Sequence, residues 1–109
     1  MSDRSPKSLK PLSLSAVVVL GAIAERVRHG FDIMDATRLP SGTVYPILGR
    51  LERDGYVRSR WEAQSAAHRE KRPPRRYYEV TAAGGRVLAH SVEHYRTLGG
   101  RTALLPLPD

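Results

Sequence analysis

The sequence predicts a mostly α-helical domain carrying one small β-hairpin, and three observations lead there. Residues 39–57 place Val44, Ile47, Leu48 and Leu51 at the i, i+3, i+4 and i+7 positions of one helical stripe. That helix runs through Asp54-Gly55 straight into the strand-forming pair Tyr56-Val57. Flanking it are two longer periodic segments, near residues 14–28 and 81–98, whose length argues for helix over strand. A short basic helix that passes directly into a strand is the centre of a winged helix-turn-helix, here followed by one further helix.

Size and charge bound the answer. One hundred and nine residues make one domain with a modest core, marginal as a lone monomer. The net charge of +7 and pI near 10.4 suit nucleic acid as a partner, with an anionic membrane surface as the rival. Zero cysteines exclude disulfides and thiolate metal sites.

Residues 1–12 are polar and cationic, with Arg4, Lys7 and Lys10 between two prolines or beside them, and read as a disordered basic arm. Two readings of residues 16–24 compete. Cationic residues before an apolar run that closes on Ala22-Ile23-Ala24 resemble a secretory leader. The preferred reading is a buried first helix capped by Ser13 or Ser15 and running to about Arg28. Ala16, Leu20, Ile23, Ala24 and Val27 keep helical spacing past any cleavage point, and the run is too short to span a bilayer. His29-Gly30 ends this helix, and His29 reads as a cap or packing residue rather than a ligand or proton switch.

Residues 31–37 form a short second helix with Phe31, Ile33 and Met34 inward, and Arg38-Leu39-Pro40 makes the turn. The start of the third helix has two solutions. Thr43 as N-cap puts Pro46 in the first turn, where its missing N–H costs nothing. Ser41 as N-cap puts Pro46 deeper and predicts a kink. Either way the helix presents Ser41, Gly42, Thr43, Tyr45, Pro46, Arg50 and Arg53 away from or beside its apolar stripe. Free N–H groups and hydroxyls at its positive end suit a phosphate.

Residues 56–62 form the first wing strand, with Val57 and Trp61 facing the core. For Trp61, packing under the wing is preferred over stacking on a base or a planar effector. Residues 64–74 read as the wing loop. From Gln64 to Arg76 there are five Lys or Arg against one acid, Glu70, so Lys71 and Arg72 are expected to clamp phosphates. Residues 76–80 return as the second strand. Thr81 caps a last helix to about Leu98, where Gly99-Gly100 stops it, and residues 99–109 read as a flexible tail. Leu88, Val92 and Tyr95 form its apolar stripe, widened by Val87 and Leu98. A face that broad asks for a second subunit to cover it.

Chemistry is scarce. There is no Cys nucleophile, Gly-x-Ser-x-Gly elbow, phosphate-cradling loop with its lysine, or paired inward carboxylates, so an enzyme is not expected. His90 and His94 share one helix face without a third ligand in the sequence, so neither a metal nor a cofactor is expected.

Pro40-Ser41-Gly42-Thr43-Val44-Tyr45-Pro46-Ile47-Leu48-Gly49-Arg50-Leu51-Glu52 resembles the recognition-helix signature of the PadR family of transcriptional regulators. His29-Gly30-Phe31 before it, then Arg60-Trp61-Glu62, Arg75-Arg76-Tyr77-Tyr78 and Thr81-Ala82-Ala83-Gly84 after it, are similar to further family elements in the same order. The resemblance implies a winged helix-turn-helix over residues 13–80 and a dimerisation helix over 81–98, with Leu88, Val92, Tyr95 and Leu98 at the two-fold interface. It implies a cytoplasmic homodimeric repressor, with double-stranded DNA as partner. Ser41, Gly42, Thr43, Tyr45, Pro46, Arg50 and Arg53 would then lie in the major groove and Lys71 and Arg72 on phosphates. It further implies a small-molecule effector near the dimer interface, of unknown identity, and no membrane. The alternative is a winged-helix interaction module that turns the same basic face to an acidic protein.

Overall fold

A computed structural model describes residues 9–102, and the side chains of residues 9–99. The chain runs α1 (Leu14–Ala24), α2 (Gly30–Thr37), α3 (Ser41–Arg53), β1 (Val57–Trp61), α4 (Gln64–Arg69), β2 (Arg76–Val80) and α5 (Ala82–Thr102). It is mostly helical with one two-stranded antiparallel hairpin, as the sequence predicts.

α1 is the central helix and packs against α2, α3, β2 and α5. Ser13 caps it, its hydroxyl accepting from Ala16 N at 3.2 Å. Ala16, Val19, Leu20 and Ile23 are buried and meet Ile33 of α2, Val44, Ile47, Leu48 and Leu51 of α3, Val57 and Tyr78 of the hairpin, and Val87 of α5. The segment with the look of a leader is thus the middle of the core.

α1 is four residues shorter than its apolar pattern suggests, ending at Ala24 rather than Arg28. Arg26 takes the left-handed conformation (φ 75°), Arg26 N donates to Ile23 O (3.0 Å) and Val27 N to Ala22 O (3.0 Å). These are the paired bonds of a Schellman cap. Val27 still packs on the core, from outside the helix. The chain then passes along the hairpin: Tyr78 N donates to Arg28 O (2.9 Å) and His29 bridges Tyr77, adding a rudimentary third strand to β2.

α2 buries Gly30 and Ile33 but leaves Phe31 75% exposed, against the expectation that Phe31 points inward. Two residues turn a helix by about 200°, so Phe31 and Ile33 cannot both face the core. The turn after α2 uses Arg38 in the left-handed conformation, with Thr37 Oγ1 accepting from Leu39 N at 3.3 Å.

α3 begins at Ser41, earlier than either cap assignment, with Pro40 in extended geometry as the N-cap. The Pro40 carbonyl accepts from Thr43 N (2.9 Å) and Val44 N (3.0 Å). Pro46 therefore lies in the second turn and deprives the Gly42 carbonyl of its helical donor. Burial decides the matter: Val44 at 0% and Ile47 at 6% exposure need helical register from the first turn onward. Gly55 (φ 81°) closes α3 in a second Schellman cap, Tyr56 N donating to Leu51 O at 2.9 Å.

The hairpin pairs Val57 with Val80 and Trp61 with Arg76. Trp61 shares the inward alternation of Val57, yet is 63% exposed, contrary to the preferred packing role. It sits at the far end of β1, where the strand has run past the helices that cover Val57. The expected wing loop contains α4, anchored by the buried Ala67 and closed by Lys71 in the left-handed conformation (φ 56°).

α5 starts at the Thr81 cap, whose Oγ1 accepts from Gly84 N (3.0 Å), and continues through Gly99-Gly100 to Thr102. The tail expected from residue 99 therefore begins later, and residues 103–109 lie outside the described ones. At the other end, residues 9–12 of the expected loose arm are held: Leu9 and Leu12 pack on the core. Ser91 Oγ accepts from Leu12 N (3.0 Å) and Tyr95 Oη donates to Leu12 O (2.7 Å). Residues 1–8 of that arm lie outside the described residues.

Candidate nucleic-acid interface

On α3, Ser41, Gly42, Tyr45, Pro46, Gly49, Arg50 and Arg53 are exposed and Thr43 is half-buried. The one acid inside the helix, Glu52, is turned to the hairpin. Its Oε2 accepts from Ser59 Oγ (2.6 Å) and its Oε1 from Arg76 Nη2 (3.3 Å). The outward surface of α3 therefore carries two cations and no carboxylate before Asp54.

Tyr45 is fixed from below. A Cβ placed on Gly30 would lie 2.5 Å from Tyr45 Oη and 2.7 Å from its Cε1, so the ring occupies the space a side chain would fill. That contact suggests a reason for the His29-Gly30 element: with glycine at 30 the Tyr45 ring rests against α2, and a side chain there would push the ring aside. His29 sits at the N-cap of α2, with Nδ1 2.9 Å from Asp32 Oδ2 and its ring edge-on to Tyr77. A cleft of about 260 Å³ joins His29, Gly30, Phe31, Asp32, Tyr45 and Arg75. It brings the first turn of α2, the middle of α3 and the root of the wing onto one side of the molecule.

The hairpin sorts its charges. Arg58 and Arg60 share Glu79, at 3.5 Å and 3.9 Å. Arg76 bonds Ser59 Oγ (3.0 Å) as well as Glu52, and its guanidinium lies over the Trp61 and Tyr78 rings at 5.5 Å and 6.0 Å. Burial raises the Tyr78 phenol above its ordinary range. Arg72, expected on a phosphate, is given to Glu62 instead through Nη1–Oε1 at 2.6 Å and Nη2–Oε2 at 2.9 Å. Arg50, Arg53, Arg69, Lys71 and Arg75 make no ion pair among the described residues. Sequence reading missed Glu52 and Glu62 because an acid inside a basic surface looks like dilution, and Ser59 because a strand serine names no partner. Gly30 and Glu62 stood inside quoted motifs, but nothing in the sequence named their partners.

The four residues expected at a two-fold interface divide. Leu88 packs on the core and Tyr95 is held by Leu12, while Val92 and Leu98 are each 40% exposed. The inward stripe of α5 is Gly84, Val87 and Ser91. His90 and His94 line a shallow groove with Glu93, Thr97 and Leu98, and no cluster of three metal-ligating side chains occurs among the described residues. Among those residues, too, no helix is long and apolar enough to cross a membrane.

The model of the transcriptional regulator PadR-like family matches residues 19–90. No curated protein matches the chain. Among solved structures, a transcriptional regulator from Clostridium thermocellum is similar, with a TM-score of 0.73 at 19% identity over 85% of this chain and 90% of that one. A PadR family regulator from Clostridium difficile gives the same score and identity over 83% and 95%. Bordetella bronchiseptica BpsR, whose DNA binding is regulated by 6-hydroxynicotinic acid, gives 0.69 at 18% over 95% and 73%. These proteins are regulators rather than enzymes, and at such identities their likeness carries the fold alone.

Proposed function

The chain belongs to the PadR-like family of transcriptional regulators, and from that premise we propose that it is a cytoplasmic, dimeric repressor whose α3 enters the major groove of an inverted-repeat operator. The observation that carries this reading is the charge sorting on α3. Arg50 and Arg53 project outward without acidic partners, while Glu52 is neutralised by Arg76 on the opposite side. Ser41, Gly42 and Thr43 at the helix start, with Tyr45 and Pro46, lie at the groove entrance. Arg50 and Arg53 contact guanine edges or phosphates. Lys71 contacts phosphates, joined by Arg69 and Arg75, since the Arg72 guanidinium is engaged by Glu62.

The second subunit covers Val92 and Leu98, with Leu88 behind them, and Tyr95 supports the interface from within its own protomer. Two-fold symmetry sets the half-sites roughly 10 base pairs apart, or a multiple of that. A small-molecule effector acting on DNA binding fits the reading, as 6-hydroxynicotinic acid acts on BpsR.

The test is binding to the DNA upstream of the chain's own gene, with and without excess random duplex. A preference for that DNA supports the reading, and Arg50→Ala is expected to lower operator affinity by roughly 1–3 kcal/mol with a much smaller loss on random DNA. Equal affinity for both DNAs is the outcome of a docking module with a merely basic face, and it refutes the repressor reading. Sedimentation of a monomer at micromolar concentration refutes the two-fold operator.

A further inference from the structure

A wing that touches DNA needs its cations in fixed places, and one carboxylate accounts for their placement. Glu62, at the end of β1, accepts from Arg72 Nη1 and Nη2 (2.6 and 2.9 Å), Arg75 N (3.2 Å) and Tyr77 Oη (3.3 Å). Its own backbone N–H donates to Arg75 O at 2.7 Å. Arg72, Arg75 and Tyr77 all belong to the returning limb of the wing, so Glu62 ties the outgoing strand to the whole of it. α4 is held from the same place. Lys71 N donates to His68 O (3.0 Å) and Arg72 N to Ala67 O (3.2 Å), so the left-handed Lys71 turns Arg72 back to Glu62. The side chains of Arg69, Lys71 and Arg75 remain exposed.

We infer that Glu62 is a positioning residue for DNA binding: its carboxylate repels the phosphates, yet it raises affinity by holding Arg69, Lys71 and Arg75 in one fixed array against the backbone. The inference rests on the DNA-binding reading above and adds to it a sign. Charge counting alone makes every acid on a DNA-binding surface unfavourable. A latch makes this one favourable, because the wing is ordered on folding and loses little further freedom on binding. The Arg72 guanidinium holds the carboxyl at about 2, below its ordinary 4.5, so it stays ionised well into acid.

Glu62→Gln separates the two effects. It adds a net positive charge, so charge counting expects tighter binding and a salt slope steeper by up to ~0.9. The latch expects affinity to fall on the order of tenfold on operator and random DNA alike, with the log–log salt slope shallower by ~0.9 to ~1.8 as one or two wing contacts are lost. Preference for the operator survives, because α3 is untouched; a misfolded protein loses it. Pairing Glu62→Arg with Arg72→Glu keeps the net charge and rebuilds the ion pair, though not the bonds from Arg75 N and Tyr77 Oη, and is expected to recover part of the affinity that Glu62→Gln loses. Equal or tighter binding by Glu62→Gln overturns the inference. So does a folded charge-swapped protein that binds no better than Arg72→Glu alone, which keeps the test alive where Glu62→Gln does not fold. A wild-type chain that binds random DNA without operator preference refutes the repressor reading but leaves the latch measurable on random DNA. A wild-type chain that binds no DNA at low salt overturns both.

Discussion

Two neighbouring glycines on α5 are expected to respond to alanine with opposite signs. A Cβ on Gly84 would overlap the Tyr56 carbonyl oxygen and lie 2.9 Å from both Tyr56 C and Val80 Cγ1. Restoring ordinary contact at ~3.5 Å makes the helix retreat by on the order of 1 Å. Two hydrogen bonds stitch this helix start to the end of α3, Thr81 N to Tyr56 O (3.0 Å) and Thr81 Oγ1 to Gly55 O (2.6 Å), and a third, Gly84 N to Thr81 Oγ1 (3.0 Å), caps the helix itself. Losing two of them costs about 2 kcal/mol, overpacking about 1–3 kcal/mol, and the helix preference of alanine returns about 1 kcal/mol. Gly84→Ala should therefore destabilise by about 2–4 kcal/mol. At Gly85 a Cβ meets nothing within 4 Å, so Gly85→Ala should stabilise by about 0.5–1 kcal/mol. Chemical denaturation followed by far-ultraviolet circular dichroism, at one fixed concentration because assembly shifts the midpoint, measures both. Equal signs would refute the close approach and with it the rigid coupling of α5 to the recognition helix.

Three further perturbations follow from the same structure. Arg26→Gly relieves a left-handed residue at the end of α1 and should stabilise by about 1 kcal/mol in the same denaturation assay; a loss would mean the Arg26 side chain contributes more than its backbone costs. Tyr95→Phe removes the bond to Leu12 O and should destabilise by about 1 kcal/mol, with faster amide exchange at residues 9–12; unchanged exchange would mean the arm is held by apolar packing alone. Glu62 has its carboxyl lowered from 4.5 to about 2, chiefly by Arg72, so between those values the folded chain binds fewer protons than the unfolded one. The stability it contributes is thus complete above about pH 4.5 and lost as pH falls through about 2. The Glu62 carboxyl carbon resonance should titrate near the lower value, and a midpoint near 4.5 would contradict the Arg72 pair.

Where one physical rule acted alone, the sequence was readable. The α3 stripe of Val44, Ile47, Leu48 and Leu51 is buried as its spacing requires, Gly55 ends the helix in the left-handed conformation, and Ser13 and Thr81 cap their helices. Failures came where two rules competed. Val27 keeps the period of α1 but packs from beyond a cap built on Arg26, so the apolar pattern was right and its helical reading wrong. Phe31 is apolar and so expected inward with Ile33 and Met34, although its angle to Ile33 forbids it. Trp61 has the right alternation on a strand that outruns its cover. Of the candidate site, the exposed face of α3 was legible from periodicity. The assignment of Arg72 to a carboxylate was not, because which cation meets which acid depends on strand register.

That last point bears on what the net charge of +7 means. The hairpin and its root hold Arg58, Arg60, Arg72 and Arg76 against Glu79, Glu62 and Glu52. These arginines add to the formal charge while facing carboxylates of the chain itself, Arg72 half-buried and Arg58 and Arg60 at the surface. Of the cations without an ion pair among the described residues, Arg50 and Arg53 on α3 and Arg69, Lys71 and Arg75 on the wing sit on the elements that a winged helix presents to a duplex, while Lys10, Arg26, Arg28, Arg38 and Arg86 lie off both. A basic sequence alone would bind any polyanion weakly and everywhere. Carboxylates that engage Arg72 and Arg76 while Arg50, Arg53, Arg69, Lys71 and Arg75 stay unpaired give the charge a direction that composition alone does not. On the proposed DNA-binding reading, the carboxylates, which look like losses in a charge count, help to set the face that meets the duplex.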